Sequence, residues 1–458
     1  MIDQTKTVAE RQGWIVLALL AVALVAGGGG SPAPLPEMTV EIAFAVLVPV
    51  WLWLSSDPLL RTVPVGARVV AGLVLLVPLA QLIPLPPPIW QALPRREIER
   101  DALALIAAEN TWRPVALAPA RTVAAFLAMV PAAAMMIMVT TLSPAMRWRL
   151  VGLVAGFGIL TLLIGAAQMS AGTVSPLYFF GADAAILTGF QANRNSTADV
   201  LLIAMIAAPA AIRHLARSRR EPPGRPAVWL MAGAMAALLA LGVVLTGSRT
   251  GVMLLVVVLI ANGVILRPWL SISAKGLGLA ALALLLAGAV LWHNPVIERT
   301  IQRFDFAQEA RPDLWRDSLY VARRHAPLGV GMGGFFPAYI ADERLETIGQ
   351  TVPNRAHNDF LELAIEAGLP GLLALSLCAA IVLRAAVRQL RESRRSEAHI
   401  LVIFALFVLA IGILHSLVDY PLRSMSLACL IAACVGLIFP AVTDLADRAD
   451  LRSIDKTA

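Results

Sequence analysis

The chain is a succession of apolar blocks, each long enough to cross a lipid bilayer, joined by short polar connections. About 20 apolar residues, at roughly 1.5 Å of helical rise each, span a hydrocarbon core of roughly 30 Å. No water satisfies backbone amides there, so blocks of this length read as helices. They fall near 14–31, 38–54, 66–83, 121–142, 149–168, 196–212, 226–246, 250–266, 274–292, 358–383, 400–415 and 424–442, which predicts an all-α integral membrane protein with about twelve transmembrane helices. Composition excludes the soluble alternative. The chain is 59% hydrophobic and 15% charged, whereas ordinary globular domains carry about 25% charged residues. Two pieces, Pro84 to Pro88 and 101–108, read as interfacial turns or half-helices, because a run of prolines cannot sit unsatisfied in lipid.

A net charge of +7 would raise the question of nucleic acid in a soluble protein. Here the basic residues sit in short loops between apolar blocks, so the charge reads as topology and no nucleic-acid partner is expected. Lys and Arg are denser on one side of the short loops if both termini are cytoplasmic. The two richest clusters, Arg213 to Arg225 and Arg384 to Arg395, then face the cytoplasm. Lys6 and Arg11 before the first apolar run imitate a secretory signal, but further spans follow and an uncleaved anchor is expected. Cys378, Cys429 and Cys434 lie in apolar stretches without metal-ligand spacing and read as packing residues; neither disulfide nor metal is expected.

This orientation places loops 84–120, 169–195, 247–249 and 293–355 outside. The last is too long for a simple connector. It divides the chain into spans one to nine (1–292), a helical periplasmic loop (293–357), spans ten to twelve (358–442) and a cytoplasmic tail (443–458). Ile297, Ile301 and Phe304 have helical spacing, and Pro312 opens a second helical stretch with Trp315 and Leu319 on one side. The tract Gly329 to Phe336 is glycine-rich but lacks the GK[ST] of a phosphate loop.

Three polar sequences stand at the outer membrane edge, where ionisable groups usually face a cavity. In GFQANRNSTADVLL, Arg194 precedes the sixth span, with Asn195 or Ser196 as N-cap, so a free helix N-terminus and a cation coincide. The alternative is an arginine snorkelling to lipid phosphate. In LTGSRTGVMLL, a tight link holds Arg249 near the membrane plane between Gly247 and Gly251, with no acid close in sequence; a structural ion pair is the alternative. In VPNRAHNDFLELAIEAGLPG, Arg355, His357, Asn358 and Asp359 open span ten, and Asn358, Glu362 and Glu366 share a helical face whose acids orient basic partners. His357, beside a helix N-terminus and Arg355, reads as a neutral imidazole able to accept a proton, against the plainer reading of a core or capping histidine. Spans six, eight and ten all begin outside, so these groups share one face, which Arg311 in the adjacent loop can join. Several arginines at positive helix ends suit a multiply charged anion such as a polyprenyl diphosphate.

GFQANRN, GSRTG, RPDLWRDSLYVARRHAPLGVGMGGFFPAY and AHNDFLELAIEAGLPG, in that order with TWRPVALAPARTVAAFL before span four, resemble the O-antigen ligase and polymerase superfamily of bacterial membrane glycosyltransferases. The patterns run from about 111 to 371. The resemblance implies a GT-C-like bundle in the bacterial inner membrane and a metal-independent, inverting transfer of a glycan from undecaprenyl diphosphate at the periplasmic face, without cofactor. By the same resemblance, Arg249 and Arg311 hold the diphosphate, with Arg194 a further candidate, and His357 is the catalytic histidine; from their place beside it, Arg355, Asn358, Asp359 and Glu362 read as supporting residues, with Glu362 or Asp359 orienting His357. HAP at His325 to Pro327 stands where the family commonly has HP. The acceptor is a lipid A core sugar in a ligase or a lipid-linked glycan in a polymerase. A lipid-linked sugar flippase or anion transporter is the competing class; it predicts mid-span charges and paired broken helices, whereas the sequence has few mid-span charges and no evident inverted repeat.

Overall fold

The computed structural model describes residues 2–29, 34–55, 62–181, 184–218, 225–266, 311–344, 346, 348, 352–393 and 396–440. In chain order the first helices are α1 (Ile2–Ala26), α2 (Pro34–Trp53), α3 (Val65–Gln81), α4 (Pro87–Trp90), α5 (Glu97–Ala104), α6 (Pro119–Thr140), α7 (Pro144–Ala171), α8 (Arg194–Ser218), α9 (Arg225–Leu245) and α10 (Arg249–Leu266). They are followed by α11 (Arg311–Arg324), α12 (Phe335–Asp342), α13 (Asp359–Glu392), α14 (Glu397–Ser416) and α15 (Met425–Ile438). Eight of them, α1, α2, α6, α7, α8, α10, α13 and α14, are long and apolar enough to cross a membrane, and α3, α9 and α15 are shorter apolar helices. These helices overlie the expected spans except 274–292. That span lies outside the described residues, as do Ile297, Ile301, Phe304 and the tail 443–458.

The protein is an α-helical integral membrane protein whose centre and rim are distinguished by what covers them. In α8, 78% of the spanning window is buried, against 11% in α13. α8 is wrapped by α7, α9, α10 and α14, and its Ala198, Ala204, Ala207, Ala208 and Ala210 let neighbouring backbones approach closely. The rim carries exposed Ile42 and Val46 on α2, Val256 and Leu259 on α10, and Leu373 and Leu377 on α13. Apolar side chains turned outward in this way suit hydrocarbon.

The connection from α3 to α6, expected as interfacial turns or half-helices, is built of turns and short helices with one addition. It begins with a two-residue antiparallel pairing, Pro84 opposite Pro114 and Leu85 opposite Arg113, and only then forms the one-turn α4 and two-turn α5. Arg96 is buried inside it and donates to the Pro114 and Val115 carbonyls and to Glu99, which supplies the connection with the partners that lipid could not. Its Arg95 reaches Asp342 at 2.6 Å, and Asp342 also takes Arg324 at 3.5 Å and His325 at 2.8 Å.

α11 begins beside Pro312 as expected, but its inner face is shifted. Leu314, Asp317, Ser318 and Val321 turn inward while Leu319 is exposed. The cause is the surface it covers: Val321 joins Val330, Phe335, Ala338, Tyr339, Ala356 and Ile365 in a small separate core, and buried Asp317 receives the Arg344 guanidinium. Trp315 is half-buried and donates its indole N–H to the Ala356 and His357 carbonyls at 3.1 and 3.3 Å.

α13 is broken at Gly368, where the backbone adopts φ 54°, ψ −149°. The break frees carbonyls, and the glycine-rich tract takes them up: Val330 N–H donates to Ile365 O at 3.0 Å, Gly331 N–H to Glu366 O at 2.9 Å and Gln81 Nε2 to the same oxygen at 2.8 Å, while Leu369 N–H donates to Pro327 O at 2.8 Å. The tract is therefore a splint for a broken helix. A Cβ on Gly368 would lie 2.1 Å from Pro327 O. Gly368→Ala is expected to destabilise the fold by about 3 kcal/mol or more, combining left-handed strain with a backbone clash. A thermal midpoint in detergent within a degree or two of wild type would contradict this.

Candidate functional site

Four helices begin at one place. The start of α8 is capped by Asn193, whose Oδ1 accepts Asn195 N–H at 2.9 Å and whose carbonyl accepts Thr197 N–H at 3.0 Å. Asn195 and Ser196 were the expected caps. The cap one step earlier releases the Asn195 side chain for longer-range bonds. Ser248 caps α10, its Oγ accepting Gly251 N–H at 3.0 Å, and its hydroxyl donates to Asn195 Oδ1 at 2.7 Å. Gly251 admits this approach, since a Cβ there would stand 2.6 Å from the Ala198 Cβ. Asn358 caps α13, accepting Leu361 N–H at 3.0 Å and donating to Leu417 O at 2.9 Å. α11 joins through Trp315, one turn after Arg311, on the His357 carbonyl.

The hub of this junction is Asp419, in the link between α14 and α15. Its Oδ1 lies 2.9 Å from His357 Nδ1, and its Oδ2 accepts from Asn195 Nδ2 at 2.5 Å and Asn193 Nδ2 at 3.2 Å. His357 takes a left-handed backbone, φ 49°, an uncommon state for a non-glycine residue that turns its ring away from α13. The ring stands edge-on to Tyr420, with centroids 4.9 Å apart. Its side chain is 30% exposed while that of Asp419 is 3% exposed. The ring is thus anchored from beneath by a carboxylate and open above. An acceptor carboxylate favours the tautomer with the proton on Nδ1, which leaves Nε2 as a base.

Burial alone would raise the Asp419 carboxyl, but the His357 hydrogen bond, the charges of His415 and His357, and the Asn195 hydrogen bond outweigh it and hold it below the usual 3.8. A carboxylate depressed on folding stabilises the protein above its unfolded value and loses that contribution as pH falls through its folded one. The difference in thermal midpoint between wild type and Asp419→Asn is therefore expected to stay constant down to about pH 4 and to close only below it. A difference that closes by about pH 6 would show that the carboxylate is not held down.

The acids expected to orient His357 do something else. Asp359, Glu362 and Glu366 lie on the face of α13 opposite the 3-10 turn Pro421–Arg423, and they surround Arg423 at 3.6, 3.4 and 2.8 Å. Glu362 also accepts from Arg355 at 2.9 Å and from Ala356 N–H at 3.0 Å, and Asp359 from the Ser416 hydroxyl at 2.8 Å. Because His357 turns left-handed before the helix begins, its ring and these acids diverge. Arg355, Asp359 and Glu362 brace the helix start.

Arg194, Arg249 and Arg311 are each the first residue of a helix, α8, α10 and α11, and each is half-buried. The caps of α8 and α10 are bonded to each other, and α11 reaches the His357 backbone. Helix N-termini carry partial positive charge and free N–H groups, so the junction sets a part-exposed imidazole beside helix starts that begin with arginine. Asp419, Tyr420 and Arg423 were not anticipated from the sequence. The signal was present: His415, Asp419 and Arg423 recur every four residues in the otherwise apolar stretch 400–440.

Residues 234–376 match the family model described as O-antigen ligase. The match holds Arg249, Arg311, His357, Asn358, Asp359 and Glu362 and supports membership of the O-antigen ligase and polymerase superfamily; Arg194 and Asp419 lie beyond it. No curated protein matches the chain.

Proposed function

We propose that this membrane protein, carrying an O-antigen ligase domain, transfers a glycan from undecaprenyl diphosphate to an acceptor sugar hydroxyl at the periplasmic face of the inner membrane, with its termini in the cytoplasm. The observation that carries the reading is the His357–Asp419 pair, at 2.9 Å, set among helix starts headed by Arg194, Arg249 and Arg311.

The chemistry divides between these two parts. Asp419 accepts from Nδ1–H of His357, and Nε2 takes the proton of the acceptor hydroxyl as its oxygen attacks the anomeric carbon. The bond from that carbon to the diphosphate oxygen breaks on the opposite face, which inverts the configuration. The diphosphate leaves with an added negative charge, which the three arginines and the helix N-termini stabilise. Preorganised donors of this kind cost no reorganisation during reaction. Arg355 is occupied by Glu362 and serves the frame.

The ligase-like and polymerase-like versions of this reaction differ in acceptor only, a lipid A core sugar or the end of another lipid-linked glycan. The test is turnover by the purified full-length protein, reconstituted in lipid, of a synthetic undecaprenyl-diphosphate oligosaccharide, measured as released undecaprenyl diphosphate with each acceptor in turn. His357→Ala and Arg249→Ala are each expected to slow it by about 10²-fold or more. Unchanged turnover in both variants, with wild-type thermal midpoints, would overturn the assignment.

A further inference from the structure

Besides His357–Asp419 and His325–Asp342, a further histidine–carboxylate pair is fully buried and connects to Asp419. His415, near the end of α14, places Nδ1 2.6 Å from Asp199 Oδ1 on α8, and the two side chains are 0% and 2% exposed. His415 Nε2 and Asp199 Oδ2 have no hydrogen-bond partner among the described residues. The pair joins the two elements that hold Asp419. The His415 carbonyl accepts Asp419 N–H at 2.9 Å, and Asp199 stands one turn after Asn195, which binds the Asp419 carboxylate.

We propose that Asp199 and His415 are positioning residues that hold Asp419 in place and balance the charge of the His357–Asp419 pair when His357 takes a proton. This rests on the function proposed above. Two carboxylates and two imidazoles, all or mostly shielded from water, sum to zero when both carboxylates are ionised and both imidazoles protonated. If the 2.6 Å contact holds a proton on His415 against an ionised Asp199, the set carries one net negative charge before His357 accepts the acceptor's proton and none afterwards. A buried cluster pays for net charge, so the arrival of that proton is favoured. The groups facing His415 are Asp199 from α8, Asp419 on its own connection, Arg311 at the start of α11, whose charge bears on it, and, through the adjoining Ser416, Asp359. Arg311 is always charged, and Asp359 is engaged by Arg423, so Asp199 is the partner whose removal alters the count.

The test is the pH dependence of kcat in the reconstituted full-length protein with the synthetic lipid-linked donor. In Asp199→Asn, Asp419 is the acid left to His415, so two imidazoles share one carboxylate and a proton on either disfavours a proton on the other. The acid limb is expected to move to lower pH by about half a unit or more, with kcat about tenfold down and donor KM within twofold. In His415→Gln, a second carboxylate stands uncompensated and the acid limb is expected to move to higher pH by a similar amount. Opposite shifts support the proposal; a structural prop would lower the thermal midpoint and leave the limb in place. Unmoved limbs, or shifts of the same sign, overturn it. If Asp199→Asn does not fold, His415→Gln alone decides, with Asp199→Glu as the charge-retaining control expected to keep the wild-type limb. Full turnover by His357→Ala would instead remove the underlying reading, so the two failures are distinguishable.

Discussion

Asp419→Asn is expected to lower kcat for lipid-linked glycan transfer by about 10²-fold or more while leaving donor KM nearly unchanged. Asparagine fills the same space and keeps one oxygen, but its amide N–H can donate to His357 Nδ1, 2.9 Å from the present Oδ1. That bond selects the opposite tautomer, with the proton on Nε2, and the ring then has no lone pair to offer the acceptor hydroxyl. His357→Ala is expected to cost on the order of 10²–10⁴. Because the two residues act as a unit, the double variant should be no slower than His357→Ala. Additive losses, read from single-turnover rates, would show that Asp419 acts elsewhere.

Arg249→Ala and Arg311→Ala are each expected to reduce kcat by about 10²–10³. Each heads a helix whose free N–H groups already favour an anion, so what is lost is the fully charged part of the clamp as the diphosphate departs. Lysine should restore only part of the rate, since it presents a point charge where guanidinium offers a planar fork. Arg355→Ala makes the contrast. Its Nη1 is committed to Glu362 at 2.9 Å, and its removal should lower the thermal midpoint more than kcat. Equal kcat losses in all three variants would mean that Arg355 also meets the leaving group.

The helices were legible because a bilayer imposes a single solution on a long apolar run, and Arg194 and Arg249 were legible because each stands where such a run begins, whereas Arg311, in the adjacent loop, takes its role from the family resemblance. What could not be read was partnership across the chain. Asp419 is 62 positions from His357 and 224 from Asn195, with no local pattern linking them. Asp359 and Glu362, close in sequence, looked like natural partners for His357. A single left-handed residue reverses that expectation, because helical spacing predicts neighbours only inside a helix, and His357 lies just before one. The inner face of α11 was misjudged for a related reason: periodicity gives a stripe, while the stripe's rotation is set by the surface it meets, here the core around Val330 and Phe335.

The break at Gly368 separates two mechanical jobs within α13. Residues 369–392 form the rod that meets lipid, and residues 359–367 carry the acids that grip Arg423 and the cap beside His357. A helix longer or shorter than the local bilayer responds by tilting. Here both sides of the break are bonded to the tract 327–331, and Gln81 adds a further bond to Glu366, so the segment that carries the acids and the cap is positioned by loop contacts as well as by the lipid-facing rod.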